Sequence, residues 1–115
     1  MINRGMNGEV GVRVLTLSDC DYCIWLKSEL DSCGITYVDI DAYQHSTFAD
    51  GVENRFKTKY YPMVFVEVGD EVITIVSETE LESSKTLCIY DTIPNLVEII
   101  KTYIKWDTNN QLREN

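Results

Sequence analysis

Cys20 and Cys23 frame the segment Cys20-Asp21-Tyr22-Cys23, where an apolar run, Val10 to Leu17, gives way to a helical pattern. Two thiols three residues apart at the start of a helix lie within disulfide reach of each other, and the unpaired N–H groups of a first helical turn favour a thiolate on the first of them. Such a pair can exchange disulfides, with Cys20 as the attacking sulfur and Cys23 as the thiol that resolves the mixed disulfide. The same spacing also fits half of a zinc site or two inert buried cysteines. Zinc needs two further ligands, and Cys33, Cys88 and His45 offer neither a second Cys-x-x-Cys nor a His pair, so no metal ligand is assigned.

The elements that must position this pair can be read from periodicity. Val10 to Leu17 is rich in Val and Leu, as expected of a strand buried on both faces of a sheet. From Asp21 to Cys33 the residues Leu26, Leu30 and Cys33 recur at helical spacing, and Gly34 supplies the stop. Ile35 to Ile40 alternates as a second strand, reached after a crossover helix and hence expected to run parallel to the first. Tyr43 to Lys59 carries Phe48, Val52 and Phe56 at four-residue spacing and predicts a second helix, although Gly51 weakens it by about 1 kcal/mol. Met63 to Val68 and Val72 to Val76 flank Gly69-Asp70 and predict an antiparallel hairpin. Ile93, Leu96, Val97, Ile100, Tyr103 and Ile104 form the stripe of a last helix, with Thr92 as cap and Pro94 in the first turn. Between hairpin and last helix, Thr86 to Tyr90 predicts either a short extra strand or a packed loop. Cys33 and Cys88 are read as core thiols, His45 as decoration of the second helix, and Trp25 as a packing residue at the rim of the Cys pair.

A chain of 115 residues, 44% hydrophobic and 25% charged, suits one domain covering 1–115, with 1–8 and 107–115 as flexible ends. Ten cations against nineteen acids give a net charge of −9, which disfavours nucleic acid and anionic membrane as partners. With neither a signal-peptide core nor a membrane-spanning run in view, a cytoplasmic monomer is expected, its four cysteines free, metal-bound or catalytic.

The order β-α-β-α-β-β-α, with a Cys pair at the first strand-to-helix junction, is similar to the thioredoxin fold, an α/β architecture with a central four-stranded mixed sheet flanked by helices. With Cys20-Asp21-Tyr22-Cys23 and the downstream Tyr60-Tyr61-Pro62, the stretch from Val10 to Ile104 resembles the glutaredoxin family, including its phage-encoded, thioredoxin-like members. Tyr22 matches the Tyr of that family's Cys-Pro-Tyr-Cys motif, and Pro62 matches the Pro of its Thr-Val-Pro motif. The resemblance implies a dithiol oxidoreductase with no resident cofactor and a cis bond before Pro62. It also implies that Tyr61 offers backbone groups to a substrate peptide or to glutathione. A disulfide-containing protein such as ribonucleotide reductase would receive the electrons, and glutathione or a dedicated reductase would resupply them, in the host cytoplasm if the chain is phage-encoded.

Departures from the family pattern qualify this expectation. Asp21 replaces the motif's Pro and Asp19 precedes Cys20, so two carboxylates oppose the helix end and predict a more reducing, thioredoxin-like poise. Lys59 matches the family's base three residues before the Pro, but Leu17 stands where a Lys or Arg is usual. The family's Gly-Gly-x-Asp-Asp-Leu stretch falls on Val76-Ser77-Glu78-Thr79-Glu80-Leu81, which keeps Thr79 and Glu80 as glutathione contacts but neither glycine. Two other readings are a [2Fe–2S] carrier held across a dimer through the first Cys and glutathione, which the absence of Pro at 21 permits, and an adaptor without reductase activity.

Overall fold

In the computed structural model residues 7–81 and 84–113 are described, with side chains placed as far as Lys105. The elements in chain order are β1 (Gly11–Thr16), α1 (Asp21–Ser32), β2 (Val38–Asp41), α2 (Ser46–Phe56), β3 (Met63–Val68), β4 (Glu71–Val76), β5 (Leu87–Ile89) and α3 (Ile93–Arg113). The strands form one sheet in the order β2-β1-β3-β4-β5. β1 runs parallel to β2 and antiparallel to β3, β3 and β4 make the predicted hairpin, and β5 joins β4 in parallel. The four-stranded sheet therefore gains its fifth strand inside the Thr86 to Tyr90 stretch.

Alternation along the strands divides the core between the two faces of the sheet. On one face Val12, Val14, Val64, Val66, Ile73 and Ile75 meet Leu26 and Leu30 of α1 and Leu96, Val97, Ile100 and Ile104 of α3. On the other, Leu15, Met63, Phe65, Val76 and Leu87 pack with Ala49 and Val52 of α2. β1 is not covered throughout, because Arg13 reaches solvent and pairs with Glu67 at 3.1 Å.

Element boundaries move where side chains compete for backbone groups. The helix predicted over 43–59 is confined to Ser46–Phe56: the Asp41 carboxylate takes the N–H groups of Tyr43 and Gln44, and Lys57 turns left-handed at φ 55°. The second strand starts at Val38 rather than Ile35, because the N–H and C=O of Thr36 are engaged by Asn7. Asn7 itself was expected in a flexible end and is instead buried, its amide donating to the carbonyls of Val10 (3.0 Å) and Thr36 (2.8 Å) and its oxygen accepting from Thr36 N–H (2.8 Å). Asn7→Ala removes all three bonds and is expected to cost about 1–3 kcal/mol, read as a lower urea midpoint at unchanged slope. A midpoint within error of the parent would show that the clip adds nothing.

At the other end, 107–113 was also expected to be loose, yet α3 continues to Arg113, since neither Gly nor Pro follows Ile104 to stop it. The remaining terminal residues of both expected flexible ends, 1–6 and 114–115, lie outside the described residues.

Candidate functional site

Backbone geometry changes from strand to helix at Cys20, which is extended (φ −100°, ψ 110°) and forms the N-cap of α1. Its sulfur accepts the N–H of Cys23 at 3.1 Å, taking the place that a Ser or Asp oxygen holds at an ordinary helix start. Cys20 is partly exposed whereas Cys23 is fully buried. Burial, reinforced by the hydrogen bond to Cys20, pushes the Cys23 thiol up to about 12. One sulfur is thus presented at the surface and the other is kept protonated behind it.

Across from the pair, the Tyr61–Pro62 bond is cis, as the resemblance implied, and the Tyr61 carbonyl lies 3.9 Å from Cys20 Sγ. Two phenols hold this turn. The Tyr90 hydroxyl, buried at the threshold of α3, donates to the Pro62 carbonyl at 2.7 Å, and the Tyr61 hydroxyl donates to Glu53 of α2. Burial pushes Tyr90 up to about 12 and, with the Glu53 bond, holds Tyr61 well above the usual phenol range, so both remain O–H donors.

Beside the turn lies a cavity of about 460 Å³ lined by Tyr22, Trp25, Tyr60, Tyr61, Tyr90, Glu78 and Asp91, among others. The Tyr22 and Trp25 rings stack at 6.4 Å. A second cavity of about 450 Å³, sharing Tyr60 and Glu78 with the first, is lined by Lys57, Lys59, Thr79, Glu80 and Glu53. The structure therefore brings Cys20, Cys23, Tyr22, Tyr61 and Pro62 together and places Lys59, Thr79 and Glu80 one cavity away. The Thr79 hydroxyl is already committed, donating to the Phe56 carbonyl and accepting from Leu81 N–H.

Cys33 forms the C-cap of α1, Cys88 lies 3.3 Å from the Tyr103 hydroxyl, and His45 stands at the start of α2 without a side-chain capping bond. Trp25 sits at the rim as anticipated, 43% exposed. Among the described residues no group of three or more His, Cys, Asp or Glu is arranged to hold a metal ion. Sequence reasoning missed Tyr90, Glu53, Tyr60 and Glu78. No spacing signal marks them, since Tyr90 meets Pro62 across 28 positions, brought there by the pairing of β5 with β4 and by its own N–H on the Val76 carbonyl at 2.9 Å.

A dithiol capping the first helix and faced by a proline turn, on this strand order, places the chain among thioredoxin-fold redox proteins. The glutaredoxin family model matches residues 12–73, from β1 into β4, and the chain belongs to that family. The match takes in Cys20, Cys23, Lys59, Tyr61 and Pro62, while Thr79, Glu80 and α3 lie beyond it. Comparison with curated proteins returned no match.

Proposed function

We propose that this protein is a dithiol–disulfide oxidoreductase that reduces mixed disulfides of proteins or of glutathione. The observation that carries the reading is the placement of Cys20 Sγ at the α1 N-cap, 3.1 Å from Cys23 N–H and facing the Tyr61 carbonyl. The Cys20 thiolate attacks one sulfur of the substrate disulfide, the S–S bond breaks, and the first substrate thiolate leaves and takes up a proton. Cys23 then loses its proton and attacks Cys20 Sγ, releasing the second substrate thiol and closing a Cys20–Cys23 disulfide. Two electrons pass from the protein dithiol to the substrate, and glutathione or a reductase returns them.

In this reading the Tyr61 backbone beside Pro62 orients an extended substrate, with Tyr22, Lys59, Thr79 and Glu80 around it. Further parts of the proposal are a protein acceptor such as ribonucleotide reductase, a monomeric state and a cytoplasmic setting, where such a dithiol is kept reduced. Among the described residues no helix is long and apolar enough to cross a membrane.

Equilibration against glutathione buffers and then against thioredoxin, with free thiols counted, tests the reading. A reversible two-electron transition at about −270 mV is expected, because Asp19 and Asp21 flank Cys20 in the sequence where the family motif carries no such pair of acids. The absence of any reversible transition would overturn the proposed function.

A further inference from the structure

The groove beside the Cys pair has a composition that selects among disulfides. Of its rings, Tyr22 is 61%, Tyr60 55% and Trp25 43% exposed, an unusual display of large aromatic surface around one cavity. The charged side chains lining that cavity are Glu78 and Asp91, and no cation lines it among the described residues.

The helix end that opens onto the groove is poorly placed to compensate. Asp91 N–H donates to the Asn95 side chain (2.9 Å), Asn95 N–H donates to Thr92 Oγ1 (3.1 Å), and Pro94 has no N–H at all. The donors that normally make a helix start attractive to a carboxylate are therefore largely taken. Lys57 and Lys59 stand in the adjoining cavity among Glu53, Glu78 and Glu80, and Leu17 adds no charge on the α1 side. Glutathione brings two carboxylates and meets a groove built to repel them. A polypeptide carrying Lys or Arg with an aromatic residue near its cysteine meets carboxylates and open ring faces instead.

We infer that the preferred substrate of this site is a disulfide in a cationic, aromatic-bearing polypeptide segment, read by Glu78, Asp91 and the rings of Tyr22, Trp25 and Tyr60, with glutathione mixed disulfides disfavoured. This rests on the dithiol reading above and adds its substrate class. The chemistry is unchanged: Cys20 Sγ bonds to the peptide sulfur as its former partner leaves as a thiol, then Cys23 displaces the peptide thiol and the Cys20–Cys23 disulfide forms.

The test uses the reduced full chain and three synthetic peptides, each with one cysteine as its 2-thiopyridyl disulfide, flanked by Lys and Tyr, by Ser and Gly, or by Glu. Glutathione 2-thiopyridyl disulfide is the fourth probe, and thiopyridine release is followed by absorbance. The Lys/Tyr peptide is expected to react at least about tenfold faster than the Glu peptide or the glutathione derivative at low salt, with the gap closing in about 0.5 M salt. Glu78→Gln combined with Asp91→Asn should collapse the ratio. Asp70→Asn with Glu71→Gln, an equal charge change at the far end of the hairpin, should leave it intact. Equal rates for all four probes overturn the inference and leave the oxidoreductase reading standing. A ratio that falls equally in both double variants also overturns it, by tracing the preference to net charge and not to the groove. No reaction with any probe overturns the oxidoreductase reading and the inference with it.

Discussion

Replacing Cys20 with serine is expected to lower disulfide reduction by at least about a thousandfold, because a hydroxyl at that position cannot supply the attacking thiolate or form the mixed disulfide. Cys23→Ser should behave differently. Its attacking sulfur remains at the N-cap, so the first exchange proceeds and the covalent intermediate accumulates, visible by mass spectrometry as the chain plus one substrate thiol. The buried resolver adds a dependence on pH. Burial is the main cause of the rise of Cys23 to about 12, and it persists after Cys20 has become half of a disulfide. The ionised fraction of a thiol titrating that high grows about tenfold per pH unit through the neutral range, so single-turnover resolution in the parent should rise with nearly unit slope between about pH 6 and 9. Full turnover by the Cys20 variant would remove the mechanism, and a resolution rate that levels off below about pH 8 would remove the role given to burial.

The second large effect concerns α3, which lies outside the stretch matched to the family. Leu96 is fully buried on the face shared with α1, among Val12, Val14, Leu30 and Ile100 of the same cluster. Leu96→Ala deletes three carbons from a closed interior and is expected to cost about 3–5 kcal/mol, from lost transfer energy and the cavity left behind. Against a total of about 5–15 kcal/mol for a domain, that is a substantial share of the stability. Because Tyr90 reaches Pro62 from the threshold of the same helix, the substitution should also loosen the proline turn. Urea unfolding measures the loss directly, and a cost under about 1 kcal/mol would mean that α3 is an appendage and not part of the core.

Much of this architecture was legible wherever a local rule acted alone. Met63–Val68 emerged with both boundaries correct because an apolar run is bracketed by Pro62 and by Gly69, the latter at φ 62°. The Cys pair and Pro62 were legible for the same reason, as short motifs whose chemistry depends on neighbours in sequence. Competing hydrogen bonds hid the rest. Asp41 and Lys57 trim α2 at its two ends, and Asn7 occupies Thr36, effects that periodicity does not register. β5 spans three residues, too few for a period to decide between the strand and the loop that the sequence left open there. In the site, the contacts of Tyr90 with Pro62 and of Tyr61 with Glu53 join segments that meet only after the sheet has formed. In the β4–β5 loop, Glu80 is legible only through the family resemblance, and Glu78 reads in isolation as ordinary surface charge.

The brevity of the outermost strands bears on how the chain behaves when crowded with copies of itself. β2 and β5 expose Val38 and Ile89, side chains that favour further strand pairing. Each strand, however, offers only a short row of free backbone groups, four residues long in one case and three in the other. β2 also carries Asp39, tied to Lys27 at 2.8 Å, and Asp41. Short borders, one of them charge-bearing, are poor templates for edge-to-edge stacking. The fold thereby offers a second copy little sheet edge to extend, while the partly exposed sulfur of Cys20 stays open to solvent.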